Sequence, residues 1–235
     1  MTDMQGITTR SSSGSSSILT TVDGMRHIAI AGNMGVGKST LTAALSERLQ
    51  ARAYYETVED HPYLERYYSD MPRWAFQSQF FFMAQAFAQH SEILHSPETC
   101  VQDRTIYEHF DVFAKSLHDQ GILGDDDFGV LANHFASLTA VVPGPDLMIY
   151  LRASVPTLQA RIARRDRSIE TTVGADYLEQ LEARYEGWMA TYEASDVMIV
   201  DTDSIDIHDD EQREALLKAI EQHLSGKVAG QLAVA

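Results

Sequence analysis

A single cysteine, Cys100, stands in 235 residues, so no intrachain disulfide can form and nothing ties the fold to an oxidising compartment. No apolar run approaches the ~20 residues needed to cross a bilayer. The first residues are polar and lack the apolar stretch behind a basic start that marks a secretory signal. Positive charge is also scarce: 18 Lys and Arg face 34 Asp and Glu, for a formal net charge of −16. Such a surface disfavours non-specific binding to nucleic acid or anionic membranes. These absences lead us to expect a cytoplasmic protein with neither kind of partner. The four arginines Arg161, Arg164, Arg165 and Arg167 are therefore notable for standing together.

What is present is enough apolar residue, 44%, to fill one core. Residues 1–24 carry a serine-rich run and read as a disordered tail, and 227–235 as a flexible C-terminal tail. Between them, 25–226 reads as one domain. Short apolar runs at 27–31, 53–58, 99–102, 146–151 and 197–201 alternate with helical stretches, among them about 73–95 and 107–120. That alternation predicts an α/β fold of three layers, a five-stranded parallel sheet flanked by helices. In such sheets ligands sit beyond the carboxyl ends of the strands.

The stretch Gly32-Asn33-Met34-Gly35-Val36-Gly37-Lys38-Ser39 follows the first strand and opens a helix at Thr40. It fits G-x-x-x-x-G-K-[ST], a loop whose backbone N–H groups cradle phosphates, with the Lys reaching the terminal phosphates and the Ser ligating Mg²⁺. The glycines let the backbone curl, and the helix N-terminus adds its dipole. An ordinary glycine-rich turn would not need the Lys-Ser pair. The loop implies ATP and Mg²⁺ but not the acceptor.

The set Gly32–Ser39, Glu56-Thr57-Val58, Trp74 to Gln79, Asp103-Arg104-Thr105 and Arg161 to Glu170 resembles the deoxynucleoside kinases, in the same order over about residues 27–202. On position alone Glu56 is either a reactive carboxylate or a solvated loop acid beside Glu59 and Asp60. The resemblance implies that it accepts the proton of the acceptor hydroxyl. It further implies that Arg104 neutralises charge at the 5′-oxygen and that Asp103, with Ser39, serves Mg²⁺. Gln79 would pair with the base, Phe110 would stack on it, and Tyr68 with Glu170 would hold the sugar 3′-hydroxyl. Arg161, Arg165 and Arg167 would close as a phosphate-clamping lid over about 161–170. Thr57 replaces the proline usual in the family. His109 stands where many members carry Asp, and Ala86 where the deoxycytidine kinases carry Arg, so the usual base readout does not transfer.

The implied enzyme is an ATP-dependent kinase acting on the 5′-hydroxyl of a deoxyribonucleoside, with purines favoured by the wording around Glu56 and Arg104. Thymidine or deoxycytidine is the alternative, followed by a nucleoside monophosphate kinase or a non-catalytic nucleotide-binding module. The resemblance and the apolar excess of helices 73–95 and 107–120 imply a homodimer packed through them.

Overall fold

A computed structural model describes residues 6–10, 27–56, 58, 60–165 and 174–232. The strands are β1 (Ile7–Arg10), β2 (His27–Gly32), β3 (Arg52–Tyr54), β4 (Cys100–Asp103), β5 (Leu147–Arg152) and β6 (Asp196–Asp201). Their order across the sheet is β1-β6-β5-β2-β4-β3. β2 to β6 run parallel, whereas β1 pairs antiparallel with β6. The sheet thus has six strands, not five, and part of the expected N-terminal tail supplies the extra edge. Ile-Thr-Thr-Arg is too short and polar to announce a strand. It is held by the ladder and by Arg10, whose guanidinium donates to the carbonyls of Met189, Ala190 and Tyr192. Those carbonyls lie at the end of α8 (Ala175–Thr191), where a cation complements the helix dipole.

Alternation along the central strands builds the layers. Ile28 and Ile30 of β2, with Leu147, Ile149 and Leu151 of β5, face α1 (Lys38–Leu49), α7 (Val155–Arg165) and α9 (Asp210–Leu232). Ala29, Ala31, Met148 and Tyr150 point the other way, into a core with α3 (Met71–His95), α6 (Asp125–Thr139) and α8. Each isoleucine on β2 is fully buried, worth about 1.5–3 kcal/mol of transfer free energy. Helix α9 runs on to Leu232, into the expected flexible tail, because no proline stops the propagation of its hydrogen bonds.

α2 (Leu64–Ser69) and α3 meet at Asp70, whose carboxylate accepts the Arg73 N–H, with Pro72 tolerated in the first turn of α3. The helix expected over 107–120 is instead α4 (Ile106–Glu108), a π-helical segment (His109–Ala114) and α5 (Lys115–Asp119). Most of it is buried among α3, α6 and α8, with exposure confined mainly to its last turn. Exposed apolar side chains include Phe80 and Leu94 on α3, Val130 on α6 and Val141 just beyond it, together with the exposed rings of Tyr55 and Tyr68.

Candidate active site

The loop between β2 and α1 adopts left-handed φ values at Gly32, Gly35 and Gly37 (144°, 79° and 108°). At Gly32 a Cβ would sit 2.3 Å from the Leu151 carbonyl, so only glycine fits beside β5. Lys38 is buried and donates to the Gly32 and Asn33 carbonyls at 2.8 and 3.0 Å. Burial, with Arg104 beside it, lowers its pKa, while Asp103, Glu108 and Glu56 oppose that shift. The side chain of Asn33 ties the loop to α8: its Oδ1 accepts from the Met34 N–H, and its Nδ2 donates to Leu178 O and Glu182. Gly35 to Thr40 line a cavity of about 420 Å³ with Arg161, Arg164, Asp206, Ile207 and His208. Val36, like Asn33 and Lys38, is buried, its side chain packed in the core.

Arg161 is placed differently from a free lid arginine. Its guanidinium donates to the carbonyls of Val36 and Thr202 and to the Thr202 hydroxyl, at 2.8–3.2 Å. It braces the phosphate loop and borders the cavity. Arg167 and Glu170 lie outside the described residues, as do Thr57 and Glu59, and Arg165 is described only as the last residue of α7.

Beyond the carboxyl ends of β3 and β4, Glu56 and Arg104 meet, with Glu56 Oε1 3.1 Å from Arg104 Nε. Arg104 itself is 4% exposed and Glu56 23%. The backbone of Arg104 is left-handed (φ 72°), a strained state for a non-glycine residue, and its N–H donates to Ile30 O. Its guanidinium lies over the Phe113 ring, 4.4 Å from the centroid. Burial opposes its charge, yet Glu56, Tyr185, Glu108 and Asp103 hold its pKa well above the ordinary value. His109 is buried with Nε2 4.0 Å from Glu56, and its ring stacks on Phe82 at 5.2 Å and 8°. Burial and the cations Arg104 and Lys38 push its pKa well down, so it is neutral at neutral pH.

Gln79 is buried, and its carboxamide oxygen has no hydrogen-bond partner among the described residues. A buried orphan of this kind is what a ligand edge would satisfy. Tyr68 is partly exposed on α2, edge-on to Tyr67. Phe110 is not where the resemblance put it. Its ring stacks on Phe128 and Phe135, inside the core against α6. The i→i+5 winding of residues 109–114 changes the angle between residues three apart and turns Phe113 toward Arg104 instead. Ala86 is buried in the same core and offers no polar group from its side chain.

Ser39 donates to Asp103 Oδ2 at 2.6 Å, and Asp103 Oδ1 is a buried acceptor without a partner among the described residues. Burial raises the pKa of Asp103, against the pull of Lys38. No cluster of three or more His, Cys, Asp or Glu that could hold a metal exists among the described residues. A hydroxyl and one carboxylate fit Mg²⁺, which keeps most of its waters and takes its other ligands from phosphates.

Glu108 was not singled out by sequence reasoning, because an Arg four residues before a Glu reads as a surface helix pair. It is fully buried, 3.1 Å from Arg104, and accepts from Tyr185 and from the Gly32 N–H. Asp206, Ile207 and His208 carried no signal either, since they follow the last strand in an acidic loop.

The sequence model of the deoxynucleoside kinase family matches residues 28–225. A deoxyadenosine/deoxycytidine kinase of Bacillus subtilis is 36% identical over 186 residues, 78% of this chain and 86% of the relative. A deoxyguanosine kinase of the same organism is 33% identical, over 76% of this chain and 87% of the relative. The structure of a deoxyadenosine kinase from M. mycoides with bound dATP superposes with a TM-score of 0.72 at 30% identity, covering 83% of this chain and 99% of that one.

Proposed function

The chain belongs to the deoxynucleoside kinase family, and from that premise we propose that it transfers the terminal phosphoryl group of ATP to the 5′-hydroxyl of a deoxyribonucleoside, preferring deoxyadenosine and deoxyguanosine. The observation that carries this reading is Glu56: a partly exposed carboxylate held by a buried arginine, beside Lys38 at the end of a parallel sheet. Glu56 takes the proton of the 5′-hydroxyl as the O5′–P bond forms and the bond from phosphorus to the ADP oxygen breaks. Arg104 and Lys38 balance the charge spread over the transferring group. Mg²⁺, held by Ser39 and through water by Asp103, would neutralise phosphate charge. The loop amides of Gly32 to Thr40 hold the phosphates, with Arg161 and Arg164 bordering the donor cavity, and Arg165 and Arg167 complete the lid.

Gln79 presents donor and acceptor to the base edge, and the Phe82–His109 stack and Phe113 form the apolar walls around it. We assign the base stack to Phe113 in place of Phe110. Tyr68 and Glu170 take the 3′-hydroxyl. Purine preference draws support from the deoxyadenosine and deoxyguanosine kinases among the relatives, and the deoxycytidine activity in two relatives' names keeps a pyrimidine second. A homodimer through α3 and α6 would cover Phe80, Leu94 and Val130.

The test is ATP with each of the four deoxynucleosides and their monophosphates. Monophosphate from deoxyadenosine or deoxyguanosine is expected, and none from any nucleoside refutes the reading. Glu56→Gln should cut turnover by about 10²- to 10⁴-fold with ATP affinity nearly intact; turnover at the wild-type rate removes Glu56 from the chemistry.

A further inference from the structure

We infer that Glu108 is a positioning residue, a buried second counter-ion that ties Arg104 to the phosphate loop and leaves Glu56 free to face the acceptor hydroxyl. The inference rests on the reading of Glu56 and Arg104 given above.

The geometry is that of a fork pinned on one side. A guanidinium is planar, so fixing one edge aims the other. Arg104 Nη1 lies 3.1 Å from Glu108 Oε1 and donates to the Tyr185 hydroxyl, also at 3.1 Å. The Phe113 ring closes one face. Nε, on the other edge, lies 3.1 Å from Glu56 Oε1 as an ion pair without an aligned hydrogen bond. Glu108 is itself immobilised: its Oε1 accepts from the Tyr185 O–H and, at 3.3 Å, from the N–H of Gly32, and forms an ion pair with Arg104. Gly32 opens the phosphate loop, so one carboxylate oxygen sets the distance between that loop and Arg104.

Charge makes the same division. A cation exposed to only 4% has water replaced by two carboxylates, one fully buried and one at the cleft. Lys38, Asp103, Tyr177, Tyr185, His109 and His61 also face this cluster. Burial raises the pKa of Glu108, while Arg104 and Lys38 pull it down. An oxygen that accepts from the Tyr185 hydroxyl and the Gly32 N–H and lies 3.1 Å from a guanidinium nitrogen is behaving as a carboxylate oxygen. Remove its charge, and Glu56 becomes the only carboxylate paired with Arg104 among the described residues. It is then drawn fully to the guanidinium rather than to the hydroxyl.

Glu108→Gln keeps size and an acceptor for Gly32 while deleting the charge. Kinetics with deoxyadenosine, ATP affinity by fluorescence titration and the unfolding midpoint are measured for it beside Glu56→Gln. Partners that orient a reacting group are typically worth about 10- to 100-fold in activity, and that loss is expected in kcat, with the ATP Kd within about twofold. Glu108→Asp should regain part of it. A kcat within about twofold of wild type overturns the inference, and so does an equal loss in ATP affinity, which would mark a collapsed loop. If Glu108→Gln does not fold, Tyr185→Phe decides: it leaves the charge but loosens the pin, and an unchanged kcat refutes. Inactive Glu56→Gln with normal Glu108→Gln sinks this inference alone. Active Glu56→Gln sinks the reading beneath it, and this with it.

Discussion

Replacing His90 by Phe should flatten the acid sensitivity of the fold. His90 is fully buried, with its ring edge-on to His27, 4.7 Å between centroids. His27 is 3% exposed, and its Nε2 lies 2.9 Å from Gln102 Oε1. Gln102 donates to Gln89, which donates to the Tyr55 carbonyl, so the pair connects through side chains to the residue before Glu56. Burial lowers the pKa of His90 to about 4, and burial with His90 beside it lowers that of His27 to about 3. Both folded values lie below the unfolded value near 6.5. Above that value neither state binds a proton, and the contribution to stability is complete. As pH falls, the unfolded chain takes up protons that the native core refuses, and stability is lost down toward the folded pKa values. At about pH 5 each histidine costs about 2 kcal/mol relative to about pH 7.5. Together that is a large share of a typical net stability of roughly 5–15 kcal/mol.

Urea unfolding of wild type and His90→Phe at both pH values isolates the effect. The phenyl ring keeps the shape, so any offset common to both pH values cancels in the double difference, as do the carboxylates shared by the two proteins. The wild type should lose about 2 kcal/mol more than the variant on acidification. A double difference below about 0.5 kcal/mol would show that His90 is protonated in the native state or exchanges with solvent, and the argument from burial would fail.

His109→Asp places a second carboxylate about where an imidazole now lies 4.0 Å from Glu56, and like charges there are unfavourable. The kcat/KM for deoxyadenosine should fall by about tenfold or more, with the ratio among the four nucleosides altered; an unaltered ratio removes His109 from base selection. For assembly, sedimentation at micromolar concentration should give a dimer, and Phe80→Glu with Val130→Glu a monomer. A monomeric wild type refutes the α3–α6 interface.

The parts of the site legible in the sequence are those whose chemistry is local in the chain. Gly32 to Ser39 is a contiguous loop, and Glu56 and Arg104 lie just past short strands that the alternation of strands and helices places side by side. What sequence spacing did not carry was angular phase. One π-helical segment rotates 109–114 enough to exchange Phe110 for Phe113, and no residue in His-Phe-Asp-Val-Phe-Ala announces the extra winding. Burial of polar groups was equally silent. Arg104 and Glu108 have the i,i+4 spacing of a surface pair, yet the pair is among the least exposed in the molecule. The reason is that Tyr185, 77 residues away, supplies the hydroxyl that makes burial affordable for both. Likewise Arg161 reads as one of three lid arginines until Thr202 takes its guanidinium. A charged side chain at this site therefore acquires its role from the partner brought to it across the sheet, and the residue types alone leave surface ion pair and catalytic support indistinguishable.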